Sequence, residues 1–200
     1  MNYLAHIYLA RHSPDAQFGA LLGDFVKPGQ DAHLALEVQR EIILHRKVDS
    51  FTDAHALNLE ARSLFQDGRR RYAGILLDVF YDHVLAKHWH QYSDQQFGQF
   101  VRNFYASLMQ RSKFFPDNLH YAAPRMVEQD WISSYVEFDG VQIAIQRMSH
   151  RLSRNGHLLR DGLQDLALHY DQLTALFFDF FPQLENFVEY ERQLMLSKQT

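Results

Sequence analysis

Apolar residues recur along most of this chain at intervals of three and four, the spacing that places them on one face of an α-helix. Strand-like alternation is scarce, and only 9 Gly and 5 Pro interrupt the pattern. The pattern predicts helices at residues 15–25, 33–56, 58–66, 70–91, 94–111, 118–128, 137–154 and 161–196. We expect Pro182 to break the last of them, since proline removes a helical hydrogen bond. With no linker-like segment, residues 1–200 are predicted to form a single all-α domain.

The predicted helix at 70–91 carries polar residues on its apolar side. A helical wheel gathers one stripe that should face the core: Tyr72, Ile75, Leu76, Val79 and Phe80. His83 falls in the middle of this stripe and Asp82 at its edge, with Asp78 one turn earlier. Buried polar groups of this kind need partners that offset their desolvation.

A second polar series lies on the predicted helix at 33–56. His45, Asp49 and Asp53 follow at intervals of four and stack along one face, and His55 comes shortly after. A third, smaller group comprises His6 and Asp24 near the start of the chain. Helical domains build interior metal sites from such side chains on separate helices. Spacing alone leaves two interpretations open, a metal or catalytic site and ordinary satisfied or solvated side chains.

Composition narrows the chemistry. The chain has no Cys and 12 His, so a metal site must use imidazole and carboxylate donors. These donors suit Mn²⁺, Fe²⁺ or Mg²⁺ better than a metal that prefers thiolate, although Zn²⁺ also accepts them. A formal net charge of −4 argues against a dedicated nucleic-acid-binding protein. The sequence shows neither a signal peptide nor an apolar run that could span a membrane, so we expect a soluble cytoplasmic protein.

Basic residues are concentrated in two places. Arg69, Arg70 and Arg71 are consecutive, and residues 147–160 contain four Arg and no acidic residue. Such a patch can attract an acidic partner even when the net charge is negative. Pairing of these arginines with the acidic C-terminal region is the alternative.

A series of motifs then follows in order along the chain. It consists of NYLAHIYLA at 2–10, GDFV at 23–26, HRKVDSFTDAH at 45–55, RRYAGI at 70–75, DVFYDHVLA at 78–86, DW at 130–131 with Tyr135, and MSHR at 148–151. Together they make the chain resemble the bacterial acyl carrier protein phosphodiesterases. The resemblance covers almost the whole chain and weakens after about Gly156.

The resemblance implies a helical fold related to the HD-domain metal phosphohydrolases. It also implies a divalent cation, Mn²⁺ ahead of Mg²⁺ or Fe²⁺. The implied reaction is hydrolysis of the phosphodiester that joins 4′-phosphopantetheine to a serine of holo-acyl carrier protein, the protein substrate and partner. Two alternatives stay open: an HD-like phosphohydrolase acting on a nucleotide, and a carrier-binding module without turnover. The sequence predicts no oligomeric state.

The resemblance, with the helical wheel, also implies roles for individual residues. The predicted metal ligands are Asp24, His45, Asp82 and His83. The residues predicted to assist catalysis are His6, Asp49, Asp53, His55 and Asp78. The residues predicted to bind phosphate or the partner are Arg46, Arg70, Arg71 and Arg151.

Overall fold

Twelve α-helices make up most of residues 1–197, the part of the chain described by a computed structural model. No β-strand occurs in this range, so the all-α prediction is confirmed. The helices are α1 (Tyr3–Leu9), α2 (Pro14–Leu22), α3 (Leu36–Ala54), α4 (Ala56–Ser63), α5 (Ala73–Lys87), α6 (Phe97–Gln110), α7 (Asp117–Glu128), α8 (Trp131–Ser134), α9 (Phe138–Arg151), α10 (Gly156–Asp161), α11 (Leu163–Leu168) and α12 (Tyr170–Ser197). Short 3₁₀ turns span Arg70–Tyr72, Trp89–Gln91 and Ser112–Phe114.

The predicted helix boundaries need correction in several places. The single helix expected at 70–91 is α5 with a 3₁₀ turn before and after it. The region expected at 161–196 contains α11 and α12, and α10 precedes it. The sequence pattern does not predict α1, α8 or α10. The six buried residues of α1 follow one another from Leu4 to Leu9, so this helix is buried on every side and lacks an amphipathic pattern.

Pro182 does not break the last helix, which continues from residue 170 to residue 197. The side chains around the proline explain why. Phe180, Phe181 and Leu184 are fully buried on this helix. Their burial in the core offsets the hydrogen bond that the proline ring removes.

Helix α5 is the centre of the core, and it packs against α1, α9 and α12. Its buried side chains include Leu76, Val79 and Phe80, as the wheel predicted. Ile75 is an exception, because 37% of its surface is exposed. The prediction that it faces the core is therefore wrong. One continuous apolar cluster runs from Met1 to Val188 and includes most of the helices.

Two glycines allow α2 to lie very close to α3. A Cβ added to Gly19 would stand 2.5 Å from the carbonyl oxygen of Val38. A Cβ added to Gly23 would stand 2.1 Å from Cγ of His45. This close packing places Asp24, which follows directly, beside the imidazole of His45.

Buried ion pairs hold the more distant segments together. Arg69 binds both carboxylate oxygens of the buried Asp165, at 2.7 and 2.8 Å. Arg192 similarly binds the buried carboxylate of Glu41. Among residues 1–197, no helix has both the length and the apolar character needed to cross a membrane.

Candidate metal centre and adjoining cleft

Two buried imidazoles from different helices stack face to face. The ring centroids of His6 on α1 and His45 on α3 are 3.7 Å apart, with an interplanar angle of 18°. The Nε2 atom of each ring lies 3.2 Å from a carboxylate oxygen of Asp49. Asp24 approaches from the end of α2, and its Oδ1 is 3.5 Å from His45 Nε2. The structure thus brings together four of the residues that the sequence singled out.

The orientation of His45 is fixed from both sides. Its Nδ1 lies 2.7 Å from the carbonyl oxygen of Ala20, so Nδ1–H donates to that oxygen. Gly23 leaves room for the ring at the end of α2. With the Nδ1 proton committed to a carbonyl, Nε2 faces the carboxylates. Histidines that bind metals in proteins usually have this arrangement.

The carboxylates determine which imidazole carries charge. Burial disfavours the cationic form of His45, but hydrogen bonds and the charges of Asp24 and Asp49 raise its pKa to about 9. Burial and the nearby charge of His45 lower the pKa of His6 to about 4. Burial alone would raise the pKa of Asp49, yet hydrogen bonds from both imidazoles leave it well below its usual range. The cluster therefore contains two carboxylates that share a cationic imidazole.

The acidic cluster extends beyond Asp49. The α-amino group of Met1 lies 3.4 Å from Asp49 Oδ1 and 2.9 Å from Asp78 Oδ1. Asp78 is half-buried on α5, and burial raises its pKa above the ordinary value. Asp78 thus differs from Asp49, whose carboxylate is held in the charged form by two imidazoles.

A cleft of about 900 Å³ adjoins this cluster. Met1, Asp24 and Asp78 contribute to its wall, and so do Arg125 on α7 and two arginines on α9, Arg147 and Arg151. Within the described part of the chain, none of these three guanidinium groups is in an ion pair, whereas the arginines at 69, 111 and 192 each bind a carboxylate. A cleft with acidic groups and unneutralised arginines suits a ligand that carries negative charge and is bound with a cation.

Aromatic and apolar side chains complete the cleft. They include Tyr3, Phe25, Ile75, Tyr121 and Trp131. The rings of Tyr3 and Phe25 are stacked with centroids 6.3 Å apart. Burial and the negative charge of Asp24 raise the pKa of Tyr3 to about 12, while Arg151 acts in the opposite direction. Both charged residues line the same cleft as Tyr3.

The structure does not bring Asp82 and His83 into this cluster. Asp82 is fully buried, and its two oxygens accept the N–H groups of Leu4 at 2.7 Å and Ala5 at 2.9 Å. It thereby caps the N-terminus of α1. His83 is held through Nδ1 by the carbonyl oxygen of Tyr135 and through Nε2 by the hydroxyl of Tyr170, each at 2.7 Å. These contacts give both residues structural partners and do not support them as metal ligands.

Two of the residues predicted to assist catalysis also lie apart from the cluster. Asp53 is exposed and pairs with Arg62. His55 is the N-cap of α4, where its Nδ1 accepts from Leu57 N at 3.3 Å. Neither contributes to the wall of the cleft.

Only one of the four arginines predicted to bind phosphate or the partner, Arg151, lines the cleft. Arg46 donates to the carbonyl oxygen of Val26 at 2.7 Å. Arg70 pairs with Asp67, and Arg71 donates to the hydroxyl of Tyr72.

Sequence reasoning missed Arg125, Arg147, Tyr3 and Trp131 as residues of the cleft. A signal existed for Arg147, because it lies one turn before Arg151 in the basic stretch at 147–160. No charge pattern indicates Arg125 or Tyr3. Their position depends on how α7 and α1 pack beside α9, which the spacing of residues cannot show.

Comparison with known proteins gives a consistent result over nearly the whole chain. A family model described as acyl carrier protein phosphodiesterase matches residues 1–184. A protein of that name from Klebsiella pneumoniae (strain 342) is 38% identical over 197 residues, covering 94% of this chain and 98% of the relative. Proteins with the same name from Salmonella paratyphi A and Enterobacter sp. (strain 638) are each 35% identical, covering 92% of this chain and 95% of the relative. No solved structure matches the chain, so the predicted relationship to HD-domain folds stays a prediction.

Proposed function

The chain belongs to the acyl carrier protein phosphodiesterase family, and we propose that it hydrolyses the phosphodiester between 4′-phosphopantetheine and a serine of holo-acyl carrier protein, with a bound divalent cation. One observation carries the proposal. The cluster of His6, His45, Asp49 and Asp24 adjoins, through Asp24, a cleft whose wall carries three arginines that form no ion pair among residues 1–197. An anionic phosphodiester bound between them would contact both kinds of group.

The residues of the cluster fit a divalent cation. One donor atom each from His6, His45 and Asp49 lies within 4.8 Å of the others, and Asp24 supplies a further carboxylate. Two imidazole nitrogens with carboxylate oxygens form a donor set suited to Mn²⁺ or Fe²⁺, and we propose Mn²⁺. The hydrogen bond from His45 Nδ1 to Ala20 leaves Nε2 available as the donor atom.

When bound, a divalent cation neutralises charge on a phosphodiester and makes a water molecule more acidic. In the overall reaction, the water oxygen forms a bond to phosphorus and the bond from phosphorus to the serine oxygen breaks. The serine oxygen receives a proton, which yields apo-carrier and 4′-phosphopantetheine. We assign to Asp78 the removal of a proton from the attacking water. Asp78 lines the cleft, and burial raises its pKa toward the range useful for a general base.

We assign substrate binding to the arginines of the cleft. Arg147 and Arg151 are one turn apart on α9, so their guanidinium groups can act on one anionic group. Acyl carrier proteins are small and acidic, which makes these arginines suitable for attracting the carrier as well as its phosphate. We therefore expect Arg147→Glu with Arg151→Glu to raise KM for holo-carrier at least about fivefold and to flatten its dependence on salt.

The matched control for this charge reversal is Arg102→Glu. Arg102 is exposed on α6, and among residues 1–197 its side chain donates a hydrogen bond only to Gln99. An unchanged KM in the double variant, with the control also unchanged, would place carrier docking elsewhere.

The test of the proposed function is direct. The protein is freed of metal, mixed with holo-carrier in the presence or absence of Mn²⁺, and the carrier is followed by mass spectrometry. The proposal predicts apo-carrier and 4′-phosphopantetheine in equal amounts, and only with metal. A carrier that keeps its prosthetic group with every divalent metal would overturn it.

A further inference from the structure

Tyr3 has a position in the cleft that the proposed reaction has not yet used. It is the first residue of α1, and it lines both the large cleft and a smaller cavity beside it. The smaller cavity is also lined by Trp131 and Met148. The aromatic ring is half-buried and stacked on Phe25, the residue after Asp24. The side chain is thus held by its ring at the wall of the cleft.

The hydroxyl of Tyr3 has no hydrogen-bond partner among residues 1–197. Tyr8, five residues further along the same helix, is different. Its hydroxyl donates to Glu185 at 2.9 Å and lies 3.0 Å from the carbonyl oxygen of Tyr92. The hydroxyl of Tyr8 therefore joins segments of the chain, whereas the hydroxyl of Tyr3 can form a hydrogen bond to a ligand.

The charged residues around Tyr3 indicate which kind of ligand its hydroxyl could bind. Asp24, from the candidate metal cluster, and Arg151, from the arginine wall, line the same cleft as Tyr3. Their charges shift the pKa of the phenol in opposite directions. An anionic group bound between the cluster and the arginines would lie next to it. A neutral hydroxyl can donate to such a group without adding a charge that competes with the arginines.

We propose that the hydroxyl of Tyr3 donates a hydrogen bond to a non-bridging oxygen of the scissile phosphodiester and stabilises the charge on that oxygen during hydrolysis. This inference rests on the proposed function for the identity of the diester. The N-terminal cap of α1 by Asp82 supports the arrangement, because it fixes the first turn that carries Tyr3. A donor held rigidly beforehand stabilises developing charge better than one that must reorient.

The test compares Tyr3→Phe with Tyr8→Phe, two variants on one helix that each remove a single hydroxyl. We expect Tyr3→Phe to lower kcat for holo-carrier about 10- to 100-fold, the loss typical of one hydrogen bond to a charged group. The melting temperature and Mn²⁺ affinity should stay at wild-type values. Tyr8→Phe should instead lower the melting temperature and leave kcat within about twofold, because its hydroxyl bonds only within the fold.

A second substrate, bis(p-nitrophenyl) phosphate, separates contact with the diester from contact with the carrier. A similar loss on this substrate would support the inference. A loss confined to holo-carrier would overturn it, as would wild-type kcat for Tyr3→Phe on both substrates. If wild-type protein cleaves the small diester and leaves holo-carrier intact, the proposed function fails, and the effect of Tyr3→Phe on the small diester still tests the contact.

Discussion

The sharpest structural prediction concerns Gly23, which holds no functional group of its own. An alanine here would place its Cβ 2.1 Å from Cγ of His45 and 2.3 Å from Cδ2. The backbone at this position has φ −52° and ψ −36°, so alanine fits the conformation without strain. The effect of Gly23→Ala is therefore steric, and it acts on the imidazole.

The size of the effect follows from the overlap. Ordinary van der Waals contact begins at 3.4 Å, so the ring or the end of α2 must move by about 1.3 Å. Displacement of a catalytic group by about 1 Å commonly costs roughly 100-fold in rate. We expect kcat for holo-carrier to fall by about that factor, and Mn²⁺ affinity to fall with it. Overpacking should also lower the free energy of unfolding by about 1–3 kcal/mol.

The assay measures release of 4′-phosphopantetheine by mass spectrometry together with Mn²⁺ binding and urea denaturation. Gly98→Ala is the matched control, since its Cβ would meet only the flexible end of Arg102, at 3.2 Å. The control should keep wild-type kcat. If folded Gly23→Ala kept its kcat within threefold of wild type, the assignment of His45 to the reactive cluster would be wrong.

The remaining predictions concern individual carboxylates and the metal. Asp82→Asn removes one of the two acceptors for the N–H groups of Leu4 and Ala5, and should lower the free energy of unfolding by about 1–3 kcal/mol in urea; unchanged stability would contradict the capping role. Asp78→Asn should lower kcat about 100-fold or more, whereas Asp53→Asn, at an exposed carboxylate outside the cleft, should stay within about twofold; equal kcat for the two variants would remove Asp78 from the reaction. Dialysis against EDTA should abolish hydrolysis and added Mn²⁺ should restore it, while full activity after exhaustive chelation would contradict the metal requirement.

The sequence predicted burial better than it predicted partners. The helical wheel placed His83 within the apolar stripe of α5, and the side chain is fully buried. The wheel could not show that Tyr135 and Tyr170 meet its two nitrogens, because these residues come from distant parts of the chain. Periodicity reports which face of a helix is buried and carries no information on what covers it.

In the candidate metal cluster too, the sequence predicts which residues share a helix face but not which residues of other helices they contact. The spacing of His45 and Asp49 predicts that they share a face of α3. In the structure, His45 Nε2 lies 3.2 Å from Asp49 Oδ2. The sequence predicts His6 as a residue that assists catalysis, because nothing in the sequence of α1 indicates that its ring stacks on His45. The sequence does not predict α1, because a helix that is buried on all sides has no amphipathic pattern. Its position depends on the cap from Asp82, a contact across 78 residues of sequence.

The central claim is that the cluster around His45 holds a cation which the hydrolysis of holo-carrier requires. Asp24→Ala tests this claim most directly, because 43% of the Asp24 side chain is exposed and its removal should leave the fold intact. The measurement is Mn²⁺-dependent release of 4′-phosphopantetheine from holo-carrier by wild-type and variant protein of equal melting temperature. We predict release by the wild-type protein and only background release by the variant. Full release by the folded variant would contradict the account.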